Sequence, residues 1–91
     1  MYATGTKKGT TRFTLKPGPA AVKVALVGDF SKWQPTAMKK QKDGSFAATV
    51  SLAPGTYEYK LIVDGEWVVD PDNNTWALNP YGTLNSVAHV E

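Results

Sequence analysis

Apolar and polar residues alternate along most of the chain, and turn-forming residues separate the alternating segments. Phe46, Ala48, Val50 and Leu52 alternate with residues suited to a solvated face, which is the pattern of a half-buried strand. The same alternation predicts further strands at residues 12–16, 21–27, 57–63 and 86–90. No segment has sustained helical periodicity, so we expect little or no helix. The pattern predicts an all-β, immunoglobulin-like antiparallel β-sandwich of about seven to eight strands.

One hairpin allows a more specific prediction. If Asp64 and Gly65 form a two-residue loop, Ile62 lies opposite Trp67, and residues opposite each other share a face of the sheet. That face also carries Lys60, so Trp67 would point outward. A three-residue loop would turn the indole inward instead. We expect the two-residue loop, with Trp67 on the outer face.

The other two tryptophans lie in segments without a periodic pattern. Trp33 follows Phe30 in a loop rich in turn formers, and we expect one of the two rings to close the end of the sandwich while the other faces outward. The sequence alone leaves open which ring does which. Trp76 lies in a long polar connection, where anchoring the connection to the body of the domain is favoured over ligand contact.

Composition limits the function classes. The chain has 91 residues, which is one domain's length, and no cysteine, so neither disulfides nor thiolate metal sites supplement its core. A net charge of +2 is too small to indicate nucleic-acid binding, and no apolar run is long enough to span a membrane. Residues 1–9 lack the apolar core of a signal peptide and are expected to be a loose arm before a single domain at 10–91. We expect a cytoplasmic protein.

The chain offers no evident catalytic constellation. His89 is the only histidine, and the pairing of Asp70 and Asp72 around a proline is more typical of a capped turn than of a calcium site or an acid–base pair. No nucleophile elbow or glycine-rich phosphate loop occurs. We therefore expect no enzyme activity, no metal and no cofactor.

Exposed indoles beside polar side chains are suited to binding a sugar. An indole stacks on the C–H face of a glucose ring, while the hydroxyl edge still requires hydrogen-bond partners. Lys60, Thr83 and Asn85 have the donors and acceptors for that edge. A peptide would fit the same surface, so residue chemistry alone leaves both ligands open.

Four motifs in order carry a family resemblance. GDFSKW at 28–33, PGTYEYKLIVDGEW at 54–67, the Asp-Pro pair at 70–71 and GTLNSV at 82–87 resemble the family-48 carbohydrate-binding modules. That family includes the glycogen-binding domains of AMP-activated protein kinase β subunits. The resemblance runs from about residue 11 to the C-terminus, because the motifs fall with compatible spacing over nearly the whole chain.

The resemblance implies an early-set sandwich that binds α-1,4-glucan without catalysis and targets an associated enzyme or kinase subunit to it. Six residues then become candidate carbohydrate contacts: Trp33, Lys60, Trp67, Tyr81, Thr83 and Asn85. Trp33 and Trp67 would stack on sugar rings. Tyr81 stands where kinase-type domains carry a leucine that threads the glucan, so it would stack or narrow the site. The alternative is an early-set structural or protein-interaction domain with little sugar binding.

Overall fold

The computed structural model describes residues 1–5, 8–17 and 21–90. Within these residues the chain forms ten strands: β1 (Tyr2–Thr4), β2 (Thr10–Leu15), β3 (Val24–Gly28), β4 (Thr36–Ala37), β5 (Lys39–Lys40), β6 (Phe46–Ser51), β7 (Gly55–Val63), β8 (Glu66–Val68), β9 (Trp76–Leu78) and β10 (Leu84–Val90). The helical structure in the described ranges is a single 3-10 turn at Asp29–Ser31. The all-β prediction is confirmed.

The strands form two antiparallel sheets packed as a sandwich. One sheet has the order β1-β2-β6-β5, and the other has the order β4-β3-β7-β10-β9, with β8 paired to the end of β7. The strand count exceeds the predicted seven or eight because β1, β4, β5 and β9 are edge strands of two or three residues. Such short strands form through pairing with a neighbour and have no alternation of their own.

The N-terminal segment differs from the expected loose arm. Tyr2–Thr4 forms β1, which pairs with β2 so that Tyr2 lies opposite Phe13. The Tyr2 hydroxyl also accepts a hydrogen bond from the backbone N–H of His89 at 3.1 Å. The arm is therefore an ordered edge strand over Tyr2–Thr4, held by partners distant in sequence. Residues 6 and 7 of the predicted arm lie outside the described residues.

The core is built from the inward faces of both sheets. The Phe13 ring packs edge-on against the Tyr59 ring, with centroids 4.9 Å apart, and lies 5.4 Å from the Phe30 ring. Phe30 thus closes the end of the sandwich, as one of the two loop aromatics was expected to do. The strand predicted at 21–27 begins only at Val24. Val22, which lies within the predicted range but before β3, is 76% exposed.

The connection from β8 to β9 is fastened by buried polar groups. Asp70 is 1% exposed, and its carboxylate accepts hydrogen bonds from the Tyr59 hydroxyl at 2.7 Å and from the backbone N–H of Asp72 at 3.0 Å. The Asn73 amide donates to the Tyr59 hydroxyl at 3.0 Å and to the Val87 carbonyl at 2.8 Å. Asp70 therefore caps a turn, as expected. The anchors of the connection are Asp70 and Asn73, whereas Trp76, which was expected to serve this purpose, is 51% exposed.

No helix within residues 1–5, 8–17 and 21–90 has the length and hydropathy needed to cross a membrane. Among the same residues, no three histidine, cysteine or acidic side chains gather closely enough to hold a metal ion.

Candidate functional site

The hairpin of β7 and β8 presents Trp67 on the outer face of the larger sheet. Asp64 and Gly65 form the two-residue loop, both with positive φ (49° and 89°), which suits the twist of a tight hairpin. Ile62 pairs with Trp67, as the two-residue loop predicts. Trp67 is 54% exposed, and the outward orientation is confirmed.

The turn after β3 holds Trp33 in a fixed orientation. Trp33 has a left-handed backbone with φ of 60°, and its N–H donates to the Gly28 carbonyl at 3.0 Å. The indole N–H donates to Oδ1 of Asp29 at 3.0 Å. The other oxygen of that carboxylate accepts the backbone N–H of Glu58 on β7 at 2.9 Å. The Asp29 carboxylate therefore joins the indole to the central strand.

The turn between β9 and β10 is organised by Asn79. Its Oδ1 accepts the backbone N–H groups of Tyr81 and Thr83, each at 3.0 Å. Its backbone N–H donates to the Thr83 carbonyl at 2.8 Å, and its carbonyl accepts from Gly82 at 3.1 Å. Gly82 has φ of +81°, a left-handed conformation that glycine adopts without strain. The turn extends Tyr81 into solvent, where its side chain is 91% exposed.

These three segments enclose one cavity of about 620 Å³. It is lined by Asp29, Trp33, Glu58, Lys60, Trp67, Asn79, Pro80, Tyr81, Thr83 and Asn85. The structure therefore brings together all six residues selected from the sequence. Trp76 does not line this cavity.

The polar side of the cavity is a continuous hydrogen-bond network. Lys60 Nζ donates to the Thr83 hydroxyl oxygen at 3.1 Å, and Asn79 Nδ2 donates to the same oxygen at 2.5 Å. Asn79 Nδ2 also donates to Asn85 Oδ1 at 3.2 Å, and Asn85 Nδ2 donates to Glu58 Oε1 at 3.1 Å. Asn85 is only 6% exposed, so its amide lies mostly beneath the surface of the cavity.

Comparison with known proteins assigns the family. Residues 10–91 match the family described as the glycogen recognition site of AMP-activated protein kinase. The chain belongs to this family. The predicted resemblance is thereby confirmed, and the matched residues include every residue that lines the cavity.

Two curated relatives are similar to parts of this chain. Protein PTST homolog 2, chloroplastic, from Arabidopsis thaliana is 47% identical over 53 residues, which are 57% of this chain and 10% of that protein. The β-2 subunit of 5'-AMP-activated protein kinase from Homo sapiens is 32% identical over 68 residues, which are 75% of this chain and 25% of that protein. The alignments thus span between a tenth and a quarter of these relatives.

Two solved structures contain the same fold within longer chains. A maltogenic amylase from S. marinus superposes with a TM-score of 0.75 at 25% identity, over 90% of this chain and 13% of the amylase chain. A pullulanase complexed with maltotetraose, from Anoxybacillus sp. LM18-11, superposes with a TM-score of 0.66 over 96% of this chain and 13% of that chain. At 22% identity, the second comparison shows the fold alone.

The site of this glycogen-recognition domain combines aromatic surfaces with hydrogen-bonding groups. Trp33, Trp67 and Tyr81 supply the aromatic surfaces, and Lys60 and Thr83 supply polar groups at the cavity surface. The carboxylates of Asp29 and Glu58 both accept hydrogen bonds from neighbouring protein groups. The two carboxylates therefore connect residues of the cavity lining to one another.

Four residues that line the cavity were not among those selected from the sequence: Asp29, Glu58, Asn79 and Pro80. Asp29 lies within the motif at 28–33, and Glu58 shares the outer face of β7 with Lys60, so both had a positional signal. Asn79 lies in a proline-containing connection with no periodicity. Its role depends on a side-chain amide that bonds four groups of the same turn and the adjoining strand, and no local pattern reveals such bonding.

Proposed function

We propose that this domain binds α-1,4-glucan, as glycogen, starch or maltooligosaccharides, without catalysing a reaction on it. The observation that carries the proposal is that Trp33, Trp67, Lys60 and Thr83 line the same cavity. Two indoles at one cavity offer stacking surfaces for sugar rings, and the polar groups supply partners for their hydroxyls.

The physical chemistry of a glucan chain matches this arrangement. Stacking removes the C–H face of a glucose ring from water, and loss of one such platform would cost about 1–3 kcal/mol of binding free energy if it resembles other aromatic burial. Burying a sugar hydroxyl costs binding free energy unless the hydroxyl keeps a hydrogen-bond partner in the complex. Lys60 has N–H groups beyond the one that it gives to Thr83, and these supply such partners.

The arrangement of acids supports binding without hydrolysis. Most glycoside hydrolases require two carboxyl groups on either side of the scissile bond, one of them available as an acid. Asp29 is engaged by the Trp33 indole and the Glu58 backbone, and Glu58 is engaged by Asn85. We propose that these carboxylates hold the binding surface in shape.

We further propose that the domain brings an associated catalytic domain or kinase subunit to glucan. Its relatives include a kinase subunit and its structural neighbours include an amylase, and the matched region is a small part of each. A binding module attached to a larger enzyme raises the effective concentration of that enzyme at the polymer.

Co-sedimentation with glycogen tests this function. Wild type should sediment with glycogen, soluble maltoheptaose should release it, and a cello-oligosaccharide of equal length should not. Trp33→Ala and Trp67→Ala should each reduce the bound fraction. Absence of wild-type binding, or equal competition by both oligosaccharides, would contradict an α-1,4-glucan site.

One observation favours the alternative of a protein-interaction domain with little sugar binding. Trp76 and Leu78 on the edge strand β9 are 51% and 72% exposed, and Leu84 lies opposite Leu78 with 43% exposure. Exposed apolar groups that share a sheet face are often covered by protein. This function predicts that a bound protein partner is released by Leu78→Lys and is unaffected by maltoheptaose.

A further inference from the structure

Asn79 has an orientation that its neighbours determine. The backbone N–H groups of Tyr81 and Thr83 can only donate, and both point to one atom of the Asn79 side chain at 3.0 Å. That atom must be the carbonyl oxygen, because an amide nitrogen cannot accept them. The Asn79 NH₂ group therefore points the other way, toward the Thr83 hydroxyl and Asn85.

The orientation of Asn79 has a consequence for Thr83. A hydroxyl oxygen has two lone pairs and one proton. Lys60 Nζ and Asn79 Nδ2 both donate to the Thr83 oxygen, at 3.1 and 2.5 Å, and neither nitrogen can accept a proton in return. With both lone pairs occupied, the Thr83 O–H can serve only as a donor to a third group. Thr83 is exposed and lines the cavity, so its O–H is available to donate to a group that occupies the cavity.

We propose that Asn79 is a positioning residue that sets the Thr83 hydroxyl as a hydrogen-bond donor toward bound glucan. This inference rests on the proposed function of the site. It also defines the ligand chemistry at this edge, since Lys60 and Thr83 both present donors there. A sugar oxygen that faces them must act as an acceptor, which a ring, glycosidic or hydroxyl oxygen can do.

Asn79→Asp separates this role from that of simply shaping the turn. The aspartate keeps an oxygen for the Tyr81 and Thr83 backbone N–H groups, so the turn is retained. Its second oxygen replaces the NH₂ group and accepts the Thr83 O–H, which turns that donor away from the cavity. We expect maltoheptaose affinity to fall about tenfold, roughly the effect of one lost hydrogen bond with an unpaired partner. A purely turn-shaping role predicts wild-type affinity for Asn79→Asp. The aspartate also lacks the donor that Asn79 gives to Asn85 Oδ1, so assigning a loss of affinity to Thr83 requires a second variant.

A double-mutant cycle shows whether the effect passes through Thr83. Thr83→Val removes the hydroxyl and should weaken binding about as much as Asn79→Asp does. If Asn79 acts through that hydroxyl, adding Asn79→Asp to Thr83→Val should lower the affinity by less than about twofold further, since coupled sites are not additive. Thermal unfolding should stay within about 3 °C of wild type for each single variant, because the turn is at the surface.

The outcomes distinguish this inference from the proposed function. If wild type binds maltoheptaose and Trp67→Ala abolishes binding while Asn79→Asp has no effect, the positioning role is wrong and the glucan site stands. Full additivity in the cycle also overturns the positioning role, because the effect would then run through Asn85 or Tyr81. Absence of wild-type binding overturns both proposals.

Discussion

The indole nitrogen of Trp33 lies 3.0 Å from Oδ1 of Asp29, and this bond fixes an aromatic surface that would otherwise rotate on a two-bond side chain. The same carboxylate accepts the Glu58 backbone N–H, so the indole is tied to the central strand β7. A binding surface held in place before the ligand arrives loses less conformational entropy on binding. The site of this glycogen-recognition domain is preorganised in this sense.

Asp29→Ala should weaken glucan binding without removing either indole. The substitution frees the Trp33 side chain and leaves the Glu58 N–H without its acceptor, so we expect maltoheptaose affinity to fall about five- to tenfold. Isothermal titration calorimetry measures the change. Asp43→Ala is the matched control, because Asp43 is an exposed aspartate bonded to Ser45 in a turn that does not line the cavity. Equal affinities for Asp29→Ala and wild type would show that Trp33 needs no such support.

Tyr81 should contribute through its ring and not through its hydroxyl. The ring lines the cavity with 91% of the side chain exposed, and its hydroxyl has no hydrogen-bond partner among the described residues. Tyr81→Ala should lower maltoheptaose affinity about threefold to tenfold, consistent with about 1 kcal/mol for a partial aromatic contact. Tyr81→Phe should bind like wild type. A large loss in Tyr81→Phe would instead assign the contact to the hydroxyl.

The sequence predicts those parts of the site that lie on regular strands. Alternation along β7 and the two-residue loop determine the face of Trp67, because a strand has a side-chain period of two. Trp33 follows no period, since Lys32 and Trp33 both adopt left-handed φ angles of 54° and 60°. Only the family resemblance therefore predicted that Trp33, and not Phe30, faces the ligand side. The pairing of Tyr2 with Phe13 depends on contacts across the chain and leaves no local signal.

Gly28→Ala should destabilise the fold for a steric reason. Gly28 has an extended backbone, with φ of −178°, that any residue can adopt. A Cβ placed there would lie 2.7 Å from the Phe30 ring and 2.8 Å from the Glu58 carbonyl oxygen. The overlap should cost about 1–3 kcal/mol of unfolding free energy, as is typical of overpacking.

Denaturant unfolding measures the cost of Gly28→Ala. Lys42→Ala serves as its control, because Lys42 is an exposed turn residue. Lys42→Ala should change stability by less than about 0.5 kcal/mol, as for an ordinary surface substitution. Wild-type stability in Gly28→Ala would contradict the close approach of the Phe30 ring and the Glu58 carbonyl to Gly28.

Stability should decline at alkaline pH because of Tyr59. Burial raises the pKa of the Tyr59 phenol above its ordinary value, and the neighbouring Asp70 carboxylate adds to the effect. A raised folded-state pKa means that the unfolded chain releases this proton first. The contribution of the protonated Tyr59 phenol to the free energy of unfolding is therefore complete below about pH 10. It is lost as the pH rises further, by about 1.4 kcal/mol per pH unit.

Urea unfolding at about pH 9 and about pH 11 measures this loss, and the two values bracket the ordinary phenol pKa. Tyr59→Phe removes the titrating group, so its stability should depend less on pH over this interval. The variant should also be less stable at neutral pH by about 1–3 kcal/mol, because Asp70 and Asn73 each lose a buried partner. Identical pH slopes in the two proteins would exclude Tyr59 as the source.

The measurement that most directly tests the glucan site is a titration of intrinsic tryptophan fluorescence with maltoheptaose on wild type, Trp67→Ala and Trp76→Ala. Trp67 and Trp76 are similarly exposed, at 54% and 51%, but only Trp67 lines the cavity. We predict a saturable fluorescence change in wild type. Trp76→Ala should keep this change with the same midpoint, and Trp67→Ala should lose it. A wild type that does not respond at millimolar sugar and fails to sediment with glycogen, or a Trp67→Ala that keeps the wild-type midpoint, would contradict this prediction.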